Sequence, residues 1–241
     1  MCVINKEGVT IYNDDYKNVL GRCKDNSVDL IITDPPYKTT KRGGTGNSGG
    51  MCKKKEFSNG NGGFRYNDVK ISDFVPELYR ILKEDSHCYI MTNHINLHEM
   101  LNVAKESGFH FVKSLIWNKG NKIMGQCYMS QFEYILFFRK GKHKKINNCR
   151  TSDILNVANK KLKDSEGKNL HDTEKPVELM KILIENSSKE GDLVVDPFSG
   201  IGSTAIACKQ LNRKFGGCEI DEIYFKTIKD RLDNVYNDLN K

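Results

Sequence analysis

Long apolar segments are missing from this sequence of 241 residues. No run approaches the roughly 20 apolar residues of a membrane-spanning helix, and the first residues lack the basic and then apolar pattern of a signal peptide. We therefore expect a cytoplasmic protein with no membrane partner. Zinc motifs and a disulfide framework are missing as well, because none of the eight cysteines forms a C-x-x-C pair.

Metal-binding clusters are also not evident. His94 and His98 stand four positions apart on a predicted helix, a spacing that can place two ligands on one face. The sequence offers no third ligand beside them, so we interpret both as surface histidines and expect no metal. Trp117, the single tryptophan, is interpreted in the same way as a core or sheet-edge residue.

Positive charge is abundant, and its position is more informative than the net value of +7. Residues 38–65 have a balance of +6 and contain eight glycines, residues 139–150 add another +6, and the rest of the chain is left with −5. Two basic segments indicate a surface that binds a polyanion, although lysine runs are also common on solvated surfaces. The candidate nucleic-acid-binding residues are Lys38, Lys41, Arg42, Lys53, Lys54, Lys55, Arg65, Lys142, Lys144 and Lys145.

Short apolar runs alternate with helical patterns along most of the chain. Seven runs lack polar alternation, which predicts strands covered on both faces; they span residues 9–14, 28–34, 87–93, 113–119, 133–140, 192–198 and 214–220. Five segments have helical spacing, namely 71–83, 96–107, 175–188, 202–212 and 221–239. This order predicts a single α/β domain over residues 1–241 with a doubly wound, mostly parallel seven-stranded sheet. The runs 113–119 and 133–140 have no helix between them, so we expect an antiparallel hairpin at an edge.

A glycine loop interrupts the stretch VVDPFSGIGSTAIAC (194–208), which has the pattern of a strand, an acidic turn, a loop and a helix. Gly200 and Gly202 permit close approach of a ligand to the backbone. Ser203 or Thr204 can cap the helix that follows. The loop is therefore a candidate ligand site.

The next predicted strand ends at Glu219, 23 positions after Asp196. An acid at this place can bind both hydroxyls of a ribose, which predicts a nucleoside-containing cofactor. The spacing is not G-x-G-x-x-G and the loop lacks the lysine of a phosphate loop. Both departures disfavour a dinucleotide or a triphosphate.

Two motifs make the pattern specific: DPPY at 34–37 and DPFSGIGST at 196–204. Together they resemble the S-adenosylmethionine-dependent amino-methyltransferases of DNA. The motif order, with the tetrapeptide first, resembles the permuted group called the beta class. The resemblance covers nearly the whole chain, with matching blocks such as SLIWNKG, FEYILFFRKG and HDTEKPVELMKILI. It implies a Rossmann-like methyltransferase fold with a circularly permuted motif order.

The chain differs most from the family pattern at residues 38–66 and 141–172. The first segment is basic and rich in glycine, and it lacks the apolar residues whose burial could offset the entropy of ordering. We expect it to be a mobile loop when no partner is bound. In the family, variable stretches of this kind carry target recognition, so both segments are candidate DNA-recognition insertions.

The resemblance implies transfer of a methyl group from S-adenosylmethionine to the exocyclic N6 amine of an adenine flipped out of double-stranded DNA. The Asp34 carboxylate and the Pro35 carbonyl are natural acceptors for the amine hydrogens, which would stabilise the charge that develops on nitrogen. Pro36 helps to hold the direction of that carbonyl, and Tyr37 can stack on the flipped base. These four residues are the predicted catalytic set.

Further cofactor contacts follow from the resemblance. Asp15 matches an acid near the adenine of the cofactor, and Thr173 and Lys175 match a block at its methionine end. Asp172 replaces a proline that is common in the family at that block. The predicted cofactor-binding residues are Asp15, Asp34, Thr173, Lys175, Asp196, Phe198, Ser199, Gly200, Gly202, Ser203, Thr204, Glu219, Ile220 and Asp221.

Several alternatives stay open at this level. The N4 amine of cytosine undergoes similar chemistry, and Asp34 at the start of the tetrapeptide favours adenine. An RNA base or a protein amide is disfavoured because the related tetrapeptide there usually begins with Asn. An inactive nucleic-acid-binding subunit is disfavoured by the intact motifs. A homodimer, a cognate restriction endonuclease and a stand-alone role are all compatible with the resemblance.

Overall fold

Strand β3 (Val28–Thr33) shows why the apolar runs lack polar alternation. Leu30 and Ile32 are completely buried in the core on one face of the sheet. Val28 and Ile31 are completely buried in the core on the other face. Because helices cover both faces, successive residues of the strand meet packed apolar layers.

The computed structural model describes residues 2–36, 69–123, 128–160 and 174–239. The strands are β1 (Val3–Lys6), β2 (Val9–Asn13), β3, β4 (Leu82–Thr92), β5 (His110–Ile123), β6 (Ser130–Arg139), β7 (Ile154–Asn156), β8 (Leu193–Asp196) and β9 (Lys214–Glu219). The helices are α1 (Tyr16–Arg22), α2 (Ile71–Ile81), α3 (Leu97–Glu106), α4 (Val177–Ser187), α5 (Ser203–Gln210) and α6 (Glu222–Leu239). Within these ranges, no helix combines the length and the apolar character needed to cross a bilayer.

The described strands form one sheet in the order β1-β2-β9-β8-β3-β4-β6-β5-β7. Neighbours are parallel except β1 with β2, and β6 with both β4 and β5. Helices α1, α2 and α3 pack on one face, and α4, α5 and α6 pack on the other. The predicted doubly wound and mostly parallel α/β sheet is therefore confirmed.

The prediction of seven strands is wrong, because the described part of the chain has nine. All seven predicted runs form strands, and the additional ones are β1 and β7. Each of these two buries a single side chain, Ile4 and Leu155, so neither shows the long apolar run of a strand that is covered on both faces. Because β7 pairs in parallel with β5, the hairpin of β5 and β6 is covered and does not form the expected edge.

The five predicted helices are present, and the seven-residue helix α1 is an additional one. The interpretation of Trp117 as a core residue is also confirmed. Trp117 lies in β5, where its side chain is buried. Its indole N–H donates to the Val157 carbonyl at 2.8 Å.

Lys140 belongs to the second basic segment, yet it does not face solvent. Its Nζ donates to Asn26 Oδ1 at 2.7 Å and to the carbonyls of Tyr79 and Leu82, each at 2.8 Å. These contacts join the end of β6 to the turn before β3 and to the α2–β4 junction. The charge counted from the sequence is therefore larger than the charge that this segment offers to a partner.

Replacing Lys140 with methionine keeps the apolar stem and removes the donor from three acceptors. We expect the free energy of unfolding to fall by about 1 to 3 kcal/mol, because the buried Leu82 carbonyl loses its donor and two partly buried acceptors lose theirs. Urea denaturation measures this change. The exposed Lys145 provides the matched control, and Lys145→Met should stay within about 0.5 kcal/mol of the wild type. Equal losses in the two variants would contradict the structural role of Lys140.

Candidate active site

The carboxyl ends of three neighbouring parallel strands bring acidic residues together. Asp34 directly follows β3, Asp196 ends β8 and Glu219 ends β9, and these strands are adjacent in the sheet. Ligands of α/β sheets bind at this edge, where the loops that leave the strands diverge. The structure therefore places both predicted motifs at one edge.

Asp196 holds the glycine loop against the sheet. Its Oδ1 accepts from the Thr33 hydroxyl at 2.9 Å and from the Phe198 N–H at 3.1 Å, and its Oδ2 accepts from the Thr204 hydroxyl at 2.9 Å. Burial raises the pKa of Asp196 to about 6. Because protein donors engage both oxygens, we assign this carboxylate to the shape of the loop.

Glycines let the loop pack closely at the carboxyl edge. Gly200 and Gly202 have φ angles of +54° and +82°, which residues with a side chain rarely adopt. A Cβ at Gly202 would lie 2.9 Å from Ile228 Cγ2 in α6, and one at Gly217 in β9 would lie 2.5 Å from the Asp196 carbonyl oxygen. The loop backbone is therefore in direct contact with β9 and α6.

Glu219 is held by backbone groups on both sides. Its Oε2 accepts from the Gly200 N–H at 2.8 Å, and its Oε1 accepts from the Asp221 N–H at 2.9 Å. Burial raises the pKa of Glu219 to about 7. Each carboxylate oxygen keeps a second lone pair, so two hydroxyls of a ribose could donate to it. The arrangement fits a nucleoside-containing cofactor.

Three other predicted cofactor residues lie beside Glu219. Asp15 caps α1 through its side chain, and β2 pairs with β9 as far as Glu219, which brings the cap to this edge. Ile220 is exposed, and Asp221 accepts from N–H groups in the first turn of α6. Asp15, Ile220 and Asp221 therefore lie near one another at the carboxyl edge.

The predicted residues within the loop differ in their contacts. The Phe198 ring packs against Tyr16 and Phe74, with centroid distances of 5.0 and 5.4 Å. Ser199 donates to a carbonyl within the loop at 3.0 Å. The buried Ser203 hydroxyl has no hydrogen-bond partner among the described residues, which makes it a polar group suited to a ligand.

Asp34 ends a row of four charged side chains. Lys175 Nζ pairs with Asp34 Oδ2 and lies 3.4 Å from Glu133 Oε2, and Glu133 Oε1 pairs with Lys119 Nζ. Burial raises the pKa of Asp34, Lys175 opposes that rise, and Glu133 adds to it. Asp34 Oδ1 has no hydrogen-bond partner within the described ranges. One oxygen of Asp34 is thus engaged, and the other is a buried acceptor without a partner, which makes it suited to a donor of a ligand.

Arg231 of α6 connects the two sides of the site. Its Nη1 donates to the Ile201 carbonyl in the glycine loop at 2.6 Å, and its Nη2 lies 3.2 Å from Glu174 Oε1. Glu174 is buried and directly precedes Lys175. One helix therefore fastens both the glycine loop and the segment that carries Lys175.

Some predicted residues lie outside the described residues: Tyr37, Lys38, Lys41, Arg42, Lys53, Lys54, Lys55, Arg65 and Thr173. Lys142, Lys144 and Lys145 are described and exposed. The Lys142 N–H donates to Asp85 Oδ1 at 2.7 Å, and His87 Nε2 lies 3.1 Å from the Lys144 carbonyl. Asp85 and His87 both precede Ile90, which pairs with Thr33 at the end of β3, so the structure places these lysines toward the sheet edge opposite Asp34.

Glu133, Lys119 and Arg231 were not predicted from the sequence. Each resembles an ordinary surface charge when it is considered alone. The available signal was a charge at the boundary of an apolar run, since Lys119 ends one predicted strand and Glu133 begins the next. Only the pairing of β5 with β6 places the two charges side by side.

The raised pKa of Asp196 predicts a dependence of stability on pH. An unfolded aspartate has a pKa of about 4, and the folded carboxyl has one of about 6. Because the folded state holds its proton more strongly, wild-type stability falls as pH rises from about 4 to about 6. Asp196→Asn removes this titration, so the stability of the variant relative to the wild type should increase by about 2 kcal/mol over that interval. Urea unfolding at both pH values measures the difference, and equal relative stabilities would contradict it.

Known proteins share this arrangement along most of the chain. The family model for N6/N4 methyltransferases, described as DNA methylase, matches residues 28–230. M.HpaI, a Type II methyltransferase of Haemophilus parainfluenzae, is 30% identical over 90% of this chain and 72% of its own. M2.DpnII, a Type II methyltransferase of Streptococcus pneumoniae, is 27% identical over 95% of this chain and 91% of its own.

Solved structures show the same fold. The complex of M1.HpyAVI with SAM has a TM-score of 0.66 at 24% identity, covering 92% of this chain and 99% of that chain. PvuII DNA methyltransferase, described as cytosine-N4-specific, has a TM-score of 0.72 at 16% identity, covering 96% of this chain and 92% of that chain. The family match over residues 28–230 and the agreement of the curated relatives lead to one conclusion: the chain belongs to the DNA methylase family of N6/N4 methyltransferases.

Proposed function

We propose that this DNA methylase transfers the methyl group of S-adenosylmethionine to the exocyclic N6 amine of an adenine flipped out of double-stranded DNA. The observation that carries the proposal is Asp34. Its carboxylate lies at the carboxyl edge beside the glycine loop, and one of its oxygens has no hydrogen-bond partner within the described part of the chain.

An amine on an aromatic ring is a poor nucleophile because its lone pair is delocalised. Acceptors for its hydrogens favour a more tetrahedral nitrogen and stabilise the positive charge that develops during attack. Asp34 Oδ1 and the Pro35 carbonyl are the two acceptors we assign. Pro35 and Pro36 restrict the backbone, which keeps that carbonyl in one direction. A base inside the duplex cannot reach these groups, so the target must leave the stack, and we assign Tyr37 to stack on it.

S-adenosylmethionine, when bound, supplies a methyl group on a sulfonium that needs no further activation. We assign Glu219 to the ribose hydroxyls, Asp15 to the adenine end, and Lys175 with Thr173 to the methionine end. The Glu219 carboxylate and the buried Ser203 hydroxyl support this fit, because both lie at the glycine loop with capacity for further hydrogen bonds. The loop itself is shaped by the contacts of Asp196 and packs without side chains at its glycines.

We further propose that the motif order is circularly permuted. Strand β8, which leads into the glycine loop, neighbours β3, which leads into Asp34. The Thr33–Asp196 hydrogen bond joins the two motifs across 163 positions of sequence. Chain order and sheet order are independent, so a permuted chain can build the same site.

DNA recognition is assigned to residues 38–66 and to the later part of the segment 141–172. Lys142, Lys144 and Lys145 begin that segment at the opposite edge of the sheet. The chain then runs through β7, which is parallel to β5 and therefore ends at the carboxyl edge. The described residues 157–160 consequently follow β7 on the side of the sheet where Asp34 lies.

The biological setting is part of the proposal. The relatives named Type II methyltransferases support a cognate restriction endonuclease with the same target, and a stand-alone methylase is the alternative setting. A homodimer is proposed from the resemblance to the permuted group, and a cytoplasmic location from the lack of an apolar run long enough to span a membrane. Sedimentation measures the oligomeric state, and cleavage of methylated plasmid by candidate endonucleases identifies the setting.

Replacing Asp34 with alanine removes one acceptor from the target amine. We expect kcat to fall by at least about 100-fold, while the dissociation constant of S-adenosylmethionine changes only a few-fold. Label from S-adenosylmethionine should appear in wild-type reactions as N6-methyldeoxyadenosine after nucleoside analysis. Asp153→Ala is the matched control, because Asp153 is an exposed carboxylate that pairs with Lys113 at 2.9 Å.

Three outcomes would contradict this assignment. Label found as N4-methyldeoxycytidine would move the target to cytosine. Label found only in RNA or protein would overturn the DNA substrate for this chain. Loss of cofactor binding with unchanged turnover at saturation would contradict the catalytic role of Asp34.

The two basic segments allow a matched test of DNA binding. Replacing Lys53, Lys54 and Lys55 with glutamine should weaken DNA binding and make its salt dependence less steep by about 0.9 for each phosphate that is no longer neutralised. The same replacement of Lys142, Lys144 and Lys145 should leave the slope unchanged, because these residues lie at the opposite edge. Binding measured by fluorescence anisotropy at several salt concentrations gives both slopes. A reversed result would place DNA on the other side of the sheet.

A further inference from the structure

Glu133 is a charged residue of the site to which the proposed reaction assigns no role. It lies in β6, directly opposite Trp117 of β5 in the antiparallel pair. All three side chains of the cluster are largely buried: the exposed fraction is 20% for Glu133, 11% for Lys119 and 6% for Lys175. Removing a carboxylate from water to this extent is unfavourable unless opposite charges surround it. Glu133 therefore depends on the two lysines.

A rigid frame holds these charges. Glu133 Oε1 pairs with Lys119 Nζ, and Glu133 Oε2 lies 3.4 Å from Lys175 Nζ. The two ammonium nitrogens lie 5.2 and 6.0 Å from the centroid of the Trp117 ring, within the range of cation–π attraction. The indole is itself fixed by its hydrogen bond to Val157. The β5–β6 pair thus sets the position of both ammonium groups.

Lys175 is the link from this frame to Asp34. It pairs with Asp34 Oδ2, while Oδ1 has no hydrogen-bond partner among the residues that the structure describes. Glu133 attracts the same ammonium electrostatically, although its Oε2, 3.4 Å away, has no hydrogen-bond partner among the described residues. Glu133 thus adds an attraction toward β6, while Lys175 pairs with a single oxygen of Asp34.

We propose that Glu133 is a positioning residue for methyl transfer: it anchors Lys175, and Lys175 orients Asp34 so that one carboxylate oxygen remains directed toward the target amine. The inference rests on the proposed function, because Glu133 acts on the reaction only through Asp34. Lys119 completes the arrangement by balancing the second oxygen of Glu133. Burial works to raise the pKa of Glu133, but the two lysines outweigh it and keep the carboxylate ionised.

Glu133→Gln preserves the shape of the side chain and removes its charge. We expect kcat to fall by about 10-fold or more, and a smaller change in the dissociation constant of S-adenosylmethionine, because Lys175 is also assigned to the methionine end of the cofactor. The acid limb of the kcat/KM profile should move to lower pH, because the charge of Glu133 raises the pKa of Asp34. Glu178→Gln is the matched control, since Glu178 is exposed and pairs with Lys181 at 3.0 Å. It should retain the wild-type kcat and profile.

A double-variant cycle separates positioning from general stabilisation. If Glu133 acts through Lys175, then adding Glu133→Gln to Lys175→Gln should lower kcat no further than Lys175→Gln alone. Losses that multiply, or an unchanged pH profile in Glu133→Gln, would overturn the proposal. Should Glu133→Gln fail to fold, Lys119→Met tests the same frame. It should lower kcat, and a wild-type kcat would count against the proposal.

Titration of Asp34 does not depend on turnover, so it tests the positioning role of Glu133 separately from the proposed methylation of adenine. NMR of protein with isotope-labelled aspartate carboxyls follows the pKa of Asp34, which is assigned by comparison with Asp34→Asn. A lower pKa of Asp34 in Glu133→Gln than in the wild type supports the coupling, and an equal pKa overturns it. Failure of the wild type to methylate adenine in DNA would instead overturn the proposed function and leave the titration result standing.

Discussion

The hydrogen-bonded carboxylate of Asp196 is the interaction on which the site depends. It joins the end of β3, the glycine loop and the first turn of α5 through Thr33, Phe198 and Thr204. A buried carboxylate is unfavourable unless donors surround it. Because all three donors come from the parts that must meet, the arrangement is stable only when those parts are in place. Because Thr33 directly precedes Asp34, the Thr33–Asp196 hydrogen bond also sets the position of Asp34 relative to the glycine loop.

The two sides of the site are stabilised by different means. Neutral donors hold Asp196, and backbone N–H groups hold Glu219, so the cofactor side has a shape set mainly by the backbone. On the side of Asp34, long lysine side chains balance the carboxylates. Arg231 connects the two sides through the glycine loop and Glu174. A backbone-built loop suits a cofactor of constant structure, whereas on the other side the Trp117 ring lies within cation–π distance of the two lysines that balance the carboxylates.

Basic residues that are neighbours in the sequence after β6 lie in different environments in the structure. Lys140 is buried at the end of β6, whereas Lys142, Lys144 and Lys145 are exposed at the amino edge of the parallel strands. The antiparallel direction of β6 causes this division, because its final residues lie beside the beginning of β4. A basic run next to a predicted strand therefore gives no information on which edge it occupies until the direction of that strand is known.

The sequence by itself determined the α/β class, the positions of seven strands and five helices, and the acidic residues at the ends of β3, β8 and β9. These features depend on local periodicity and on turn chemistry, which short segments contain. The strands β1 and β7 bury one side chain each and had no such signal. The row from Lys119 to Asp34, the burial of Lys140 and the opposite edge of Lys142 were decided only by tertiary structure. Their causes are strand register and direction, which relate distant residues and cannot be derived from any single segment.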